Sequence, residues 1–186
     1  NYAGDTSDGV IGLYYLDANA FNAFDVILAN LGVTAFTLGD YDTKTTALYA
    51  DFSFDLNEQW QASIGGRYTK DERDVLVTRE TFLGAGSPYF VNPDAVSITA
   101  PIDGLVPTFT GARSDSAFTA RASISYSPVD EHNLYATYSE GFKGGGFDPR
   151  GAYQFEDVQK GFAPEEVSSF ELGAKSYWND GAVSTN

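Results

Sequence analysis

The chain has 186 residues, no cysteine and a formal charge of −15, which suits one ordinary domain and rules out a disulfide framework or a thiolate metal site. With 26 acidic side chains against 11 basic ones, the surface would repel nucleic acid and anionic lipid, so neither is expected as the main partner. No apolar run is long enough for a membrane-spanning helix, but a membrane-spanning strand needs only every second residue apolar.

The first expected element is a strand over Val10 to Leu16. Ile11, Leu13 and Tyr15 form one apolar set there, but Tyr14 and Leu16 spoil the contrast, so its facing is open. A long polar loop is expected from about Asp17 to Lys44. The next strand alternates strictly, with Leu48, Ala50, Phe52, Phe54 and Leu56 against Tyr49, Asp51, Ser53 and Asp55. Period two puts these sets on opposite faces. Asn57, Glu58 and Gln59 then make a hairpin turn. Trp60, Ala62, Ile64, Gly66 and Tyr68 follow on one face, with Gln61, Ser63, Gly65, Arg67 and Thr69 on the other.

A second long loop is expected from Asp74 to Arg113. Beyond it, Phe118, Ala120, Ala122, Ile124 and Tyr126 oppose Thr119, Arg121, Ser123, Ser125 and Ser127. Pro128 to Asn133 reads as a turn, and Leu134, Ala136 and Tyr138 begin a fourth copy. Glu140 breaks its apolar parity, either because the strand has reached the headgroups or because a bulge near Gly141 shifts the register. After a third long loop, Lys143 to Glu166, the set Phe170, Leu172, Ala174, Ser176 and Trp178 faces away from Ser169, Glu171, Gly173, Lys175 and Tyr177. Asn179, Asp180 and Gly181 make another tight turn.

Short turns at one end and long loops at the other are the pattern of outer-membrane barrels, with brief periplasmic turns and extended extracellular loops. The expected fold is therefore all-β, an antiparallel transmembrane β-barrel segment of about six to seven strands from a larger barrel. Trp60, Tyr126 and Trp178 lie on the apolar parity beside short turns and are expected in one lipid-facing aromatic girdle, with Tyr68 in the other. Asp51, Asp55, Arg67, Arg121, Glu171 and Lys175 all fall on the opposite, lumen-facing parity, where pairing across strands is their expected role. Since eight strands is the smallest common closed barrel, residues 1–186 are expected to be a partial barrel domain, without plug or closure. Such a piece would expose two unpaired edges.

From Leu134 the chain reads LYATYSEGFKGGGFDPRG, and from Phe162 it reads FAPEEVSSFELGAKSYWNDG. These runs resemble the barrel of TonB-dependent outer-membrane receptors, the second through Pro164, Glu165, Ser169, Glu171, Leu172, Gly173 and Lys175. The upstream stretch ALYADFSFDLNEQWQASIGGRYTKDER, from Ala47, is similar to an earlier hairpin of that family, including Gly66, Arg67, Tyr68, Thr69 and Asp71. The resemblance covers roughly half the chain. It implies a Gram-negative outer-membrane protein that imports a scarce nutrient, typically a ferric siderophore and in other members haem, cobalamin or glycans. It also implies a plug domain and the TonB energy-coupling complex as partners in the parent chain, with outer-membrane lipid around the barrel. Neither enzymatic activity nor a resident cofactor is implied. A passive porin-type channel is the alternative reading, followed by a soluble all-β glycan-binding module or hydrolase.

Ligand contacts are sought in the loops and upper lumen, where Tyr41, Asp42, Tyr89, Phe90 and Arg113 offer stacking and charge for a small molecule such as a metal chelate, although ordinary loop roles are the expectation for most. Asp5 with Asp8, and Asp40 with Asp42, lack the spacing of a calcium loop and read as turn chemistry, so no metal site is expected. Gly144 to Gly146 have no Walker lysine beside them and read as a flexible strand-to-loop transition. His132 falls in an expected turn, which gives a zinc site or histidine triad no support. Glu165 and Glu166 are strand neighbours that point apart, so they do not suggest paired glycosidase carboxylates.

Overall fold

The computed structural model describes residues 2–98, 106–178 and 182–185. Its elements are β1 (Tyr2–Ala3), β2 (Ser7–Leu28), β3 (Val33–Asp55), β4 (Trp60–Leu83), β5 (Ser97–Ile98), β6 (Thr108–Val129), β7 (His132–Lys143), the short helix α1 (Glu156–Gln159), β8 (Glu165–Trp178) and β9 (Val183–Thr185). The strands form one antiparallel sheet in the order β1-β2-β3-β4-β6-β7-β8-β9, with β5 against β4. Six long strands and a short final one agree with the expected wall segment. The expected Asn179–Gly181 turn lies outside the described residues, although β8 and β9 on either side of it pair antiparallel.

Register carries the alternating residues of each strand into continuous rows. One row runs Gly9, Phe52, Ile64, Ala122, Tyr138, Phe170, and another runs Leu13, Leu48, Tyr68, Phe118. Leu13 is 83 % exposed and Phe118 65 % exposed, so nothing in the sheet covers this apolar face. The polar face carries Asp51 and Arg121 in one row on either side of Gly65, and Arg67 in a neighbouring row between Tyr49 and Thr119. Register also settles the first strand. Ile11, Leu13 and Tyr15 pair with Ala50, Leu48 and Thr46 and join the apolar face, whereas Tyr14 lies on the polar face under the Arg67 guanidinium, 5.0 Å from its ring centre.

Several boundaries differ from expectation. The segment expected as a loop from Asp17 to Lys44 is instead the upper part of a continuous β2–β3 hairpin, paired from Ser7↔Phe54 to Leu28↔Val33. Its tip is the 3-10 turn Ala29–Leu31, closed by Gly32 at φ 67°. The expected Asp74–Arg113 loop also shrinks, because β4 continues to Leu83 and β6 begins at Thr108. The physical reason is common to both. Above the row Tyr15, Thr46, Lys70, Ser116 the apolar face gives way to residues such as Asp17, Lys44 and Glu72, so the alternation disappears while the backbone ladder continues. Strands β2, β3, β4 and β6 therefore reach 22 to 24 residues.

At the lower end, Asn57 Oδ1 accepts the backbone N–H groups of Gln59 at 2.9 Å and Trp60 at 3.0 Å and fixes the β3–β4 turn. The Pro128–Asn133 turn is tighter than expected, since β6 runs to Val129 and β7 starts at His132. A register shift lies there, between Tyr126 and Val129. None occurs at Gly141, where β7 and β8 stay in step through Glu140↔Ser168 and Gly141↔Val167. The bulge reading of Glu140 is thus incorrect. Its carboxylate accepts from the Ala120 N–H at 2.9 Å and the Tyr138 hydroxyl at 2.7 Å.

That Ala120 contact marks a seam. The β6–β7 ladder stops at Arg121↔Ser139, whereas β6 stays paired with β4 up to Thr108 and β7 stays paired with β8 up to Lys143. Above Ala120, the β7-side edge of β6 has no strand partner among the described residues.

Candidate functional site

The connection 144–164 folds back over the upper part of the polar face. Phe147 and Tyr153 from this connection bury against Val75 and Val77 of β4, with Tyr41, Val106, Phe109 and Val158 packed around them. The Phe109 and Tyr153 rings stack at 3.7 Å with planes 4° apart. Burial pushes the Tyr153 phenol up to about 12, and its hydroxyl donates to the Asp148 carbonyl. A second loop covers the opposite side of the same strands. There Phe36 stacks on Tyr89 at 4.2 Å and meets Phe90 at 6.0 Å, while Asp25 accepts the Ser87 N–H at 2.7 Å.

Two arginines fasten the connection to the wall. Arg79 of β4 donates to the carbonyls of Val106, Pro149 and Gly151 and lies over the Tyr153 ring. Its burial holds the guanidinium below its usual range. Arg113 of β6 grips Asp115 with two 2.7 Å bonds and donates to the carbonyls of Phe162 at 2.8 Å and Lys160 at 3.2 Å. The Arg113 bonds hold the Asp115 carboxyl below the usual carboxylate range, helped by the Gly145 N–H. A rigid fork serving a carboxylate and two carbonyls at once is a role that arginine fills and lysine does not.

Gly144, Gly145 and Gly146 are buried wedges, which corrects the expectation of a flexible transition. A Cβ on Gly144 would lie 2.0 Å from Asp71 Oδ2, and one on Gly145 would lie 2.3 Å from the Phe162 carbonyl oxygen. Asp71 has no room to yield, since Thr45 donates to it at 2.6 Å and Arg73 at 2.9 Å. The three glycines let the backbone press directly onto this charged layer.

Fold and connection together can be compared with known proteins. A family model described as TonB dependent receptor-like, beta-barrel, matches residues 1–186. The chain belongs to this family. Among solved structures, the ferric yersiniabactin uptake receptor FyuA from Yersinia pestis matches with a TM-score of 0.67 at 17% sequence identity. The match covers 97% of this chain and 25% of FyuA, so the chain spans about a quarter of that receptor's length. No curated protein matches the sequence.

Within this TonB-dependent receptor barrel, the five loop candidates do not form one site. Tyr41 and Arg113 are on the polar face, Tyr41 among the packed aromatics and Arg113 in the ion pair. Asp42 faces the other way and accepts from Asn19, which also bonds Asp40. Tyr89 and Phe90 pack on Phe36 on that same opposite side. Among the six polar-face charges, Asp51 pairs with Arg121 at 3.0 Å and Asp55 accepts from Gln61 at 2.9 Å. Arg67 donates to Thr69, Glu171 accepts from the Tyr135 hydroxyl, and Lys175 lies over the Tyr135 ring. Among the girdle residues, Trp60 stacks on Tyr126 at 4.6 Å, Trp178 meets His132 at 4.6 Å, and Tyr68 is 52 % exposed. Sequence reasoning missed Arg79, Asp148, Arg150 and Tyr153. The available signal was the Phe-Asp-Pro-Arg-Gly run after the glycines, whose Asp-Pro pair is turn chemistry.

Proposed function

We propose that this chain is part of the wall of an outer-membrane receptor-transporter of a Gram-negative bacterium, which takes up a scarce nutrient such as a ferric siderophore. The parent protein would carry the plug domain and draw energy through TonB. The observation that carries this reading is the uncovered apolar face, bounded by Trp60 and Tyr126 at one end and Tyr68 and Phe118 at the other. From Trp60 to Tyr68 the strand advances about 26 Å, or about 20 Å of height at a barrel tilt near 40°. That is close to the apolar band of a membrane barrel, about 25 Å. On this reading Trp60, Tyr68, Tyr126 and Trp178 meet lipid near the interfaces. Asp51, Asp55, Arg67, Arg121, Glu171 and Lys175 face a wet lumen. The longer strands then stand above the membrane on the extracellular side, and the connection 144–164 narrows the lumen mouth. The name of FyuA supports a ferric chelate as cargo.

The full-length parent, produced in a Gram-negative host, tests this directly. It should sediment with the outer membrane, and iron-chelate uptake under iron starvation should stop when TonB is deleted. Uptake that continues unchanged without TonB would favour the passive channel. Recovery in the soluble fraction without detergent would refute both membrane readings.

A further inference from the structure

Backbone N–H and C=O groups alternate sides along a strand, and on β6 two bonds fix which residues face which way. Ser127 donates to the Gln59 carbonyl on the β4 side at 2.8 Å, whereas Ala120 donates toward β7. The even residues Phe118, Ser116, Ser114, Ala112 and Thr110 therefore aim their backbone groups away from β4. The β6–β7 ladder ends at Arg121↔Ser139, so these groups have no strand partner among the described residues. Connection 144–164 leaves them alone, because it reaches β6 through the side chains of Asp115 and Arg113 on the polar face.

This edge also lacks the usual protection. Edge strands are blunted by lysine, proline or a bulge, but the row Thr108, Thr110, Ala112, Ser114, Ser116 and Phe118 is exposed and uncharged. The charges stop one strand earlier, at Lys70, Glu72 and Asp74, the β4 partners of Ser116, Ser114 and Ala112. The lowest rung shows what the edge takes. Glu140 Oε2 accepts the Ala120 N–H at 2.9 Å, so a side-chain oxygen stands where the next ladder carbonyl would be. Beside it, Phe118, Gly141, Glu166 and Val167 border a hollow of about 310 Å³ between β6 and the β7–β8 pair. Glu140 and Glu166 put two carboxylates in its lining, which contains no lysine or arginine.

Unpaired donors and acceptors repeating at every second residue, about 7 Å apart, match another extended chain. We propose that the upper edge of β6 is a strand-addition site for an extended segment of a partner protein, which pairs antiparallel along Thr110 to Phe118 and sets a basic residue at its lower end beside Glu140 and Glu166. The backbone supplies the pairing, and the carboxylates choose the sign of the lower residue. The site goes beyond the uptake reading and involves no cargo. That reading supplies only its side of the membrane, since the edge rises beyond the apolar band that ends at Phe118 and so stands on the extracellular side.

The test uses the full-length parent in detergent micelles and a fluorescein-labelled, C-terminally amidated peptide, KTVTSTVTS, read by fluorescence anisotropy. Strand pairing makes binding depend on alternate amides. N-methylation of one alternate set of peptide nitrogens should weaken binding at least about tenfold, and of the other set less than about twofold. Ser114→Pro removes an N–H on the open side and spares the β4 ladder, so it should weaken binding about tenfold, whereas Ser114→Ala should bind as wild type. Glu166→Gln should weaken it about two- to fivefold. Equal effects of the two N-methyl sets overturn the site, and this comparison needs only wild-type protein. Wild-type binding by Ser114→Pro, with unchanged heat-modifiable migration on electrophoresis, overturns it too. A dimer of the parent that Ser114→Pro dissociates makes a second copy the occupant and overturns the assignment to a partner protein. Alternate-amide binding accompanied by uptake that ignores TonB supports the site and overturns the receptor reading.

Discussion

Replacing Arg113 with alanine removes the bidentate pair to Asp115 together with the bonds to the Lys160 and Phe162 carbonyls. Asp115, whose side chain is 11 % exposed, keeps the Gly145 N–H as its hydrogen-bond donor among the described residues. Breaking a buried pair from one side costs about 3 to 5 kcal/mol, because the remaining charge is stranded. The cost falls on the contact between connection 144–164 and the wall, so its amides should exchange at least about a hundredfold faster in the intact parent. Hydrogen exchange read by mass spectrometry on peptides from 144–164 measures this directly. The double variant Arg113→Ala/Asp115→Ala should lose less than the sum of the single changes, since no stranded charge is left.

The pH dependence should also weaken. In the wild type, Arg113 depresses the Asp115 pKa, so the pair's stabilisation is full at neutral pH and is lost only as pH falls through that depressed value. In Arg113→Ala the largest cause of that depression is gone while the Gly145 N–H and the Arg73 charge remain, so the loss of protection at low pH should shrink. Unchanged exchange in the single variant, or strict additivity in the double, would refute the latch.

Two further substitutions probe the wall and the wedge. Ala122→Arg should cost about 2 to 4 kcal/mol if it meets mid-bilayer lipid, and Ser123→Arg should be far milder in a wet lumen; equal unfolding midpoints in denaturant would sink the facing. Gly144→Ala drives a methyl to 2.0 Å from Asp71 Oδ2 and should cost about 1 to 3 kcal/mol as overpacking, visible as faster proteolysis within 144–164, whereas wild-type resistance would mean that the charged layer yields.

The wall was legible in the sequence wherever its two faces differ. Phe52 and Ile64 against Asp51 and Gly65 give strict alternation, and register places them as their parity requires. The sign fades above Tyr68, where Lys70 and Glu72 occupy the formerly apolar parity and Arg73 and Asp71 the other. With polar residues on both sides, a strand and a polar loop have the same composition, which is why the tall β2–β3 hairpin was hidden. The site was less legible for a different reason. Tyr41 and Asp42 are adjacent in sequence and lie on opposite sides of the sheet, whereas Arg79 and Tyr153 are far apart and touch. Composition at one position carries no information about a partner seventy residues away. The glycine run stands out in the sequence, but its purpose depends on Asp71, which only the register brings beneath Gly144.

The seam above Ala120 gives this sheet a mechanical weak line. Every other pair of long neighbouring strands is hydrogen-bonded along nearly all the length the two share, whereas β6 and β7 hold each other only below Arg121 and Ser139. A tension acting across the strands would unzip this ladder before its neighbours, since fewer rungs share the load. Connection 144–164 bridges the break on the polar face, through Gly145 to Asp115 and Phe162 to Arg113. It therefore works as a staple across the break.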